Sequence, residues 1–69
     1  MIILFSERLQ QLRKDYNLRQ IDLAKAINTT QRRISHLESG KIEPDLTTLV
    51  SIARHFNVSL DYLVGISDY

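Results

Sequence analysis

Asn17, Asn28, Gly40 and Gly65 each stand just after a short stretch whose apolar residues recur at helical spacing. These residue types enter the left-handed backbone region at little cost, which is where a helix is most easily ended. That punctuation limits the sequence to brief helices. Phe5, Leu9, Leu12 and Tyr16 fall on one face of a first helix, stopped at Asn17. A second runs from about Arg19 to Ile27, buries Leu23, Ala24 and Ile27 with Ile21 beside them, and turns at Asn28. Thr30 is the N-cap of a third, with Ile34 and Leu37 inward and Gly40 at its end. Lys41 to Pro44 form a loop. Asp45 caps a fourth helix with Leu46, Leu49, Val50, Ala53 and Phe56 inward. Ser59 caps a short fifth carrying Leu60, Leu63 and Val64, closed by Gly65. No strand pattern of comparable length competes. The expectation is an all-α, compact five-helix domain over residues 1–69, with its core in about 5–65 and a short tail at 66–69.

Size narrows the functional classes. A chain of 69 residues without cysteine has neither a disulfide nor a thiolate metal site to hold it. A chain this short buries only about 60% of the surface it exposes when unfolded. Its stability must come from helix packing, with a partner subunit as a further source. The longest apolar run, Met1 to Phe5, is too short to span a membrane and lacks the form of a signal peptide. A cytoplasmic location is expected, and the lack of cysteine fits it. His36 and His55 lie on different helices, and no glycine-rich phosphate loop or nucleophile constellation is present. No enzyme, cofactor or metal is expected.

The net charge of +1 conceals a division along the chain. Residues 1–41 carry +4, whereas residues 42–69 carry −3. That asymmetry points to a polyanion against the first part, or to chance scatter over few charges. Turning about 100° per residue from Ile34 and Leu37, Arg32 points away from the core, flanked by Ser35 and His36. Gln31 and Arg33 sit at the borders of that face. Arginine pairs bidentately with guanine and glutamine with adenine; the alternative is an ordinary solvated surface. Arg32 and Arg33 also occupy a helix's first turn, where the dipole disfavours cations by roughly 0.3–1 kcal/mol each. Arg19 breaks the same rule at the start of the second helix. Phosphates against those helix ends make three such placements sensible.

Gln20, Ile21, Asp22, Leu23 and Ala24, followed by Asn28, Thr30, Ile34 and Leu37, resemble the helix-turn-helix of phage Cro and repressor proteins, the Xre-like group. The resemblance continues through Glu38 to Lys41, Pro44 to Leu46 and Phe56 to Leu63, and covers about residues 5–65. It implies a lambda-repressor-like fold with its helix-turn-helix at the second and third helices, and a function in sequence-specific binding of double-stranded DNA. It further implies that Thr30, Gln31, Arg32 and His36 face bases. Arg19, Gln20, Arg33, Ser35, Ser39 and Lys41 would meet the DNA backbone, with Gln20 also bracing Gln31. Arg13 and Glu38 match a family ion pair between the first and third helices, so Arg13 reads as structural. Three departures from the family pattern stand out: Arg19 replaces a Ser or Thr cap, Asn17 and Asn28 stand where glycine is common, and Glu43 is acidic in a loop that is often basic.

The resemblance thus implies a transcriptional regulator, taken here as a repressor, bound as a homodimer to a short palindromic operator. Tyr62, Ile66 and Tyr69 are candidates for the dimer surface, the alternative being that Tyr62 merely closes the core. A second function class uses the same fold for protein contacts alone, as an antitoxin or an antirepressor partner. A protein co-regulator is compatible with either.

Overall fold

A computed structural model describes residues 4–68. Thr30, Asp45 and Ser59 each accept a hydrogen bond from the backbone N–H three residues on, at 3.2, 2.8 and 2.9 Å. Each of these caps starts a helix, because the first N–H groups of a helix have no partner inside it. The helices are α1 (Phe5–Asp15), α2 (Gln20–Ala26), α3 (Gln31–Ser39), α4 (Leu46–Phe56) and α5 (Leu60–Val64). No strand occurs among the described residues. α2 starts differently. Arginine has no acceptor, so the Arg19 side chain cannot cap, and the Asp22 carboxylate instead reaches back to the Arg19 N–H at 2.9 Å.

All five helices end in one way. Asn17, Asn28, Gly40, Asn57 and Gly65 adopt positive φ. The N–H of the residue after each reaches back into the last turn: Leu18 to Arg13, Thr29 to Ala24, Lys41 to His36, Val58 to Ala53 and Ile66 to Asp61, at 2.8–3.0 Å. This is the Schellman arrangement, which satisfies carbonyls that the helix leaves open. Four of the five stops are legible in the sequence. Asn57 is the one that was missed, since Asn57 and Val58 lie inside what reads as a continuous link to Ser59. Gly65 is the more constrained of the two glycines: a Cβ there would lie 2.8 Å from Leu4 Cβ.

The core joins Phe5, Leu9 and Leu12 of α1 to Leu23 and Ala24 of α2, Ile34 and Leu37 of α3, Ile52, Ala53 and Phe56 of α4, and Leu63 of α5. Leu18, Ile27, Ile42, Leu49, Val58 and Tyr62 pack around it. Ala24 is fully buried where α2 meets α3. Three sequence expectations need correction. Leu46 is 70% exposed, because the first turn of α4 projects past the core. Ile52 rather than Val50 is sealed inside, so the buried face of α4 is rotated from the one expected. Tyr16 lies beyond the end of α1, largely exposed, with its ring edge-on to Phe56 at 5.1 Å. It clasps two helix ends and is not part of the core. Leu60, at the start of α5, is also exposed.

Candidate nucleic-acid interface

Because Ile34 and Leu37 are fully buried, the opposite side of α3 faces outward. Gln31 and Arg32 are exposed there, with Ser35 and His36 half-buried alongside. Thr30 spends one lone pair on the Arg33 N–H and keeps its hydroxyl hydrogen free to donate. Arg32 has neither a hydrogen-bond nor an ion-pair partner among the described residues.

The other two arginines at helix starts have partners within the fold. Arg19 donates through Nε and Nη2 to both oxygens of Asp22, each at 2.9 Å. This pairing, with the Arg19 backbone bond, lowers the Asp22 pKa from 3.8 to about 2 and raises that of Arg19. Arg33 turns toward α4, with Nη2 at 3.4 Å from Thr48 Oγ1 and 3.9 Å from Asp45 Oδ2. The Asp45 carboxyl is likewise held below its ordinary range, chiefly by its hydrogen bonds with Thr48. Of the three, Arg32 keeps a fully available guanidinium.

Behind the exposed face lies a polar chain. Arg13 donates through Nε to Glu38 Oε2 at 2.6 Å and through Nη2 to Oε1 at 3.0 Å, a bidentate pair joining α1 to α3. Its Nη1 donates to the Leu18 carbonyl at 2.8 Å. The side chains are 13% and 3% exposed, so this charge pair is nearly dry. Hydrogen bonding to Glu38 raises the Arg13 pKa, which leaves the guanidinium charged. Gln20 Nε2 donates to Glu38 Oε1 at 3.2 Å, and Gln20 Oε1 accepts from Gln31 Nε2 at 3.2 Å. Sequence matching places Gln20 beside Gln31, but the link onward to Glu38 crosses between helices and leaves no local signal.

At the end of α3, Ser39 Oγ donates to the His36 carbonyl at 3.2 Å, while Lys41 and Glu43 lie exposed in the following loop. Where α1 meets α5, the Arg8 guanidinium sits 4.2 Å from the centre of the Tyr62 ring. It donates to the carbonyls of Tyr62 and Ser67. Tyr62 is therefore half-buried and engaged within the fold, whereas Ile66 is 76% exposed. Tyr69 lies outside the described residues. The role of Arg8 in pinning the tail was not foreseen, since nothing in its spacing marks it apart from other surface bases.

A family model described as helix-turn-helix matches residues 9–63. The chain belongs to that family, the Xre-like group of helix-turn-helix transcriptional regulators, whose members are DNA-binding regulators and not enzymes. The helix-turn-helix-type transcriptional activator BcrR of Enterococcus faecalis is 42% identical over 61 residues, which make up 88% of this chain and 30% of that protein. An uncharacterised helix-turn-helix-type transcriptional regulator of Archaeoglobus fulgidus is 34% identical over 61 residues, covering 88% of this chain and 87% of its own length. The chain spans 30–58% of the length of the first four curated relatives it matches. Among solved structures, the P22 c2 repressor in complex with a synthetic operator superimposes with a TM-score of 0.87 and 29% identity, over 94% of this chain and 98% of that one. A transcriptional regulator from Listeria innocua gives 0.84 and 34%, over 88% and 57%. The fold is the lambda-repressor-like one, with the helix-turn-helix at α2 and α3. No helix among the described residues is long and apolar enough to cross a membrane.

Proposed function

We propose that this protein binds double-stranded DNA sequence-specifically through α3 and represses transcription as a homodimer on a short palindromic operator. The observation that carries the reading is Arg32: an exposed, unpartnered guanidinium in the first turn of the outward helix, beside Gln31 and behind a Thr30 cap. Thr30, Gln31, Arg32 and His36 would read base edges in the major groove. Arg19, Gln20, Arg33, Ser35, Ser39 and Lys41 would hold the backbone. Arg19 and Arg33 bring part of their charge already balanced by Asp22 and Asp45, so their phosphate contacts act more by geometry than by net attraction.

Dimensions support two copies. The described residues span 27 × 23 × 19 Å. Successive major-groove half-sites lie about 34 Å apart, more than one copy can reach. Ile66, with the exposed edge of Tyr62 and with Tyr69, is the proposed dimer surface. Likeness to the P22 c2 repressor, over 94% of this chain, is what supports repression in this reading.

The test is selection from a random duplex pool, followed by binding to the leading site at two salt concentrations. An inverted repeat with half-sites about one helical turn apart is expected. Affinity should fall steeply with salt as phosphate counterions are released. Salt-sensitive binding without a motif would refute sequence reading, and no enrichment would turn the assignment toward a protein-binding role.

A further inference from the structure

The acceptor-only carboxylate of Glu38 stands at the inner end of the chain of contacts that terminates at Gln31. We propose that Glu38 is a specificity-positioning residue, which fixes through Gln20 the orientation of the Gln31 amide and hence the base that Gln31 reads. This rests on the proposed DNA-reading role of α3.

The reasoning uses only donor and acceptor chemistry. A glutamine amide has a donor end and an acceptor end of nearly equal shape, and its environment decides which way it lies. Glu38 Oε1 can only accept, so Gln20 must turn its Nε2 toward it, at 3.2 Å. That leaves Gln20 Oε1 facing the other way, where it can only accept. Gln31 must then turn its own Nε2 inward, again at 3.2 Å. The order is imposed from the buried end, because the two Arg13 donors hold Glu38 in place and its side chain is 3% exposed.

The outward atoms of Gln31 follow. One Nε2 hydrogen is spent on Gln20, which leaves one N–H donor and the whole of Oε1 for a ligand. One donor beside one acceptor complements the N7 and N6 edge of adenine. The reversed amide would offer two N–H donors and only one free lone pair, an order that no longer matches adenine and favours the N7 and O6 acceptors of guanine. Glu38→Gln supplies that reversal. Arg13 Nε, whose bond to Oε2 is the shorter at 2.6 Å, keeps the one acceptor of residue 38. The new amide N–H takes the Oε1 position facing Gln20 at the cost of the Arg13 Nη2 bond, and both glutamines invert in turn. Gln20→Met tests the relay differently, since it leaves the Arg13–Glu38 pair intact and frees Gln31 to lie either way.

The experiment has two arms. In the DNA arm, Gln31→Ala first maps the operator position where base preference is lost. Duplexes carrying each of the four base pairs at that position are then titrated with wild type, Glu38→Gln and Gln20→Met. A bidentate contact corresponds to about 5- to 150-fold preference for adenine over guanine in the wild type. Glu38→Gln should abolish or invert that ratio, and Gln20→Met should bring it toward parity. Weaker binding or lower thermal stability in both variants with the ratio unchanged overturns the proposal, because a structural role alone predicts that result. The second arm needs no DNA: side-chain amide signals of Gln20 and Gln31 in the free protein should both move in Glu38→Gln. If the Gln31 signal stays in place, the relay is wrong. If the signals move but no duplex is selected at all, the DNA-reading role fails and the relay stands.

Discussion

Glu38→Ala is the substitution whose effect on stability the structure defines most sharply. It leaves the Arg13 guanidinium, 13% exposed, without its bidentate partner. Removing one member of a buried pair costs roughly 3–5 kcal/mol, because the remaining charge stays desolvated. Arg13 keeps its bond to the Leu18 carbonyl and a sliver of solvent, so the low end, about 3 kcal/mol, applies. A domain of 69 residues is stable by only about 3–10 kcal/mol. The loss should therefore lower Tm by roughly 10–25 °C. The assay is urea unfolding followed by helical circular dichroism at neutral pH, in about 0.1 M and about 1 M salt. A nearly dry pair is poorly screened, so the difference between variants should survive the higher salt. The double variant Arg13→Met with Glu38→Leu should recover most of the loss, since no unpaired charge remains. A loss under about 1 kcal/mol, or one that vanishes in high salt, would mean that the pair behaves as an exposed one and would refute the reasoning.

Gly65→Ala should destabilise by about 2–3 kcal/mol, since φ is +97° and the added Cβ meets Leu4 at 2.8 Å. Gly40→Ala, whose Cβ would meet Ser6 Oγ at 3.6 Å, should cost only the backbone strain of about 1 kcal/mol. Equal Tm values for these two variants would show that the Leu4 contact is soft. Asp22 has a folded pKa below its unfolded one, so its contribution is complete above the unfolded value of 3.8 and is lost as pH falls toward about 2. The urea midpoint of the wild type should drop through that window, and Asp22→Asn should flatten the drop; the same slope in both would assign the acid loss elsewhere. Arg32→Ala should lose base preference at one operator position while keeping its salt slope within about one unit. A uniform affinity loss across all sequences would move Arg32 from the reading set to the backbone set.

The sequence discloses this fold where chemistry is local and conceals it where chemistry is tertiary. Thr30, Asp45 and Ser59 each cap within three residues of themselves, and Gly40 and Gly65 stop helices by their own backbone freedom, so all five are legible without a structure. Asn57 does the same work but sits directly before Val58 and Ser59, where a stop and a new cap merge into one turn. Helix faces were less legible. Leu46 follows the same period as Leu49 and Phe56, yet a period says which residues share a side, not how far the neighbouring helices extend along it. The exposed face of α3 was readable because Ile34 and Leu37 leave only one direction for the core. The balance of charge around it was not, because the Arg33 partners, Thr48 and Asp45, come from the next helix and its N-cap.

The arrangement of charge at the helix starts also bears on the proposal that two copies act together. Arg19 and Arg33 have nearby carboxylates; Arg32, in the same unfavourable electrostatic position, has none. The fold thus tolerates a cost of roughly 0.3–1 kcal/mol at the one arginine that points straight outward. With Gln31 beside it, the proposed reading face would offer two strong base contacts, each worth about 1–3 kcal/mol of discrimination. Together they distinguish a site from its competitors by about 2–6 kcal/mol, below the roughly 4–10 kcal/mol that separates specific from non-specific binding. Two copies on two half-sites double the sum to about 4–12 kcal/mol, which spans that range. The proposed homodimer would supply the discrimination that the proposed reading face lacks in one copy, and a stable monomer that selects its operator with full specificity would show that contacts outside Gln31 and Arg32 carry the recognition.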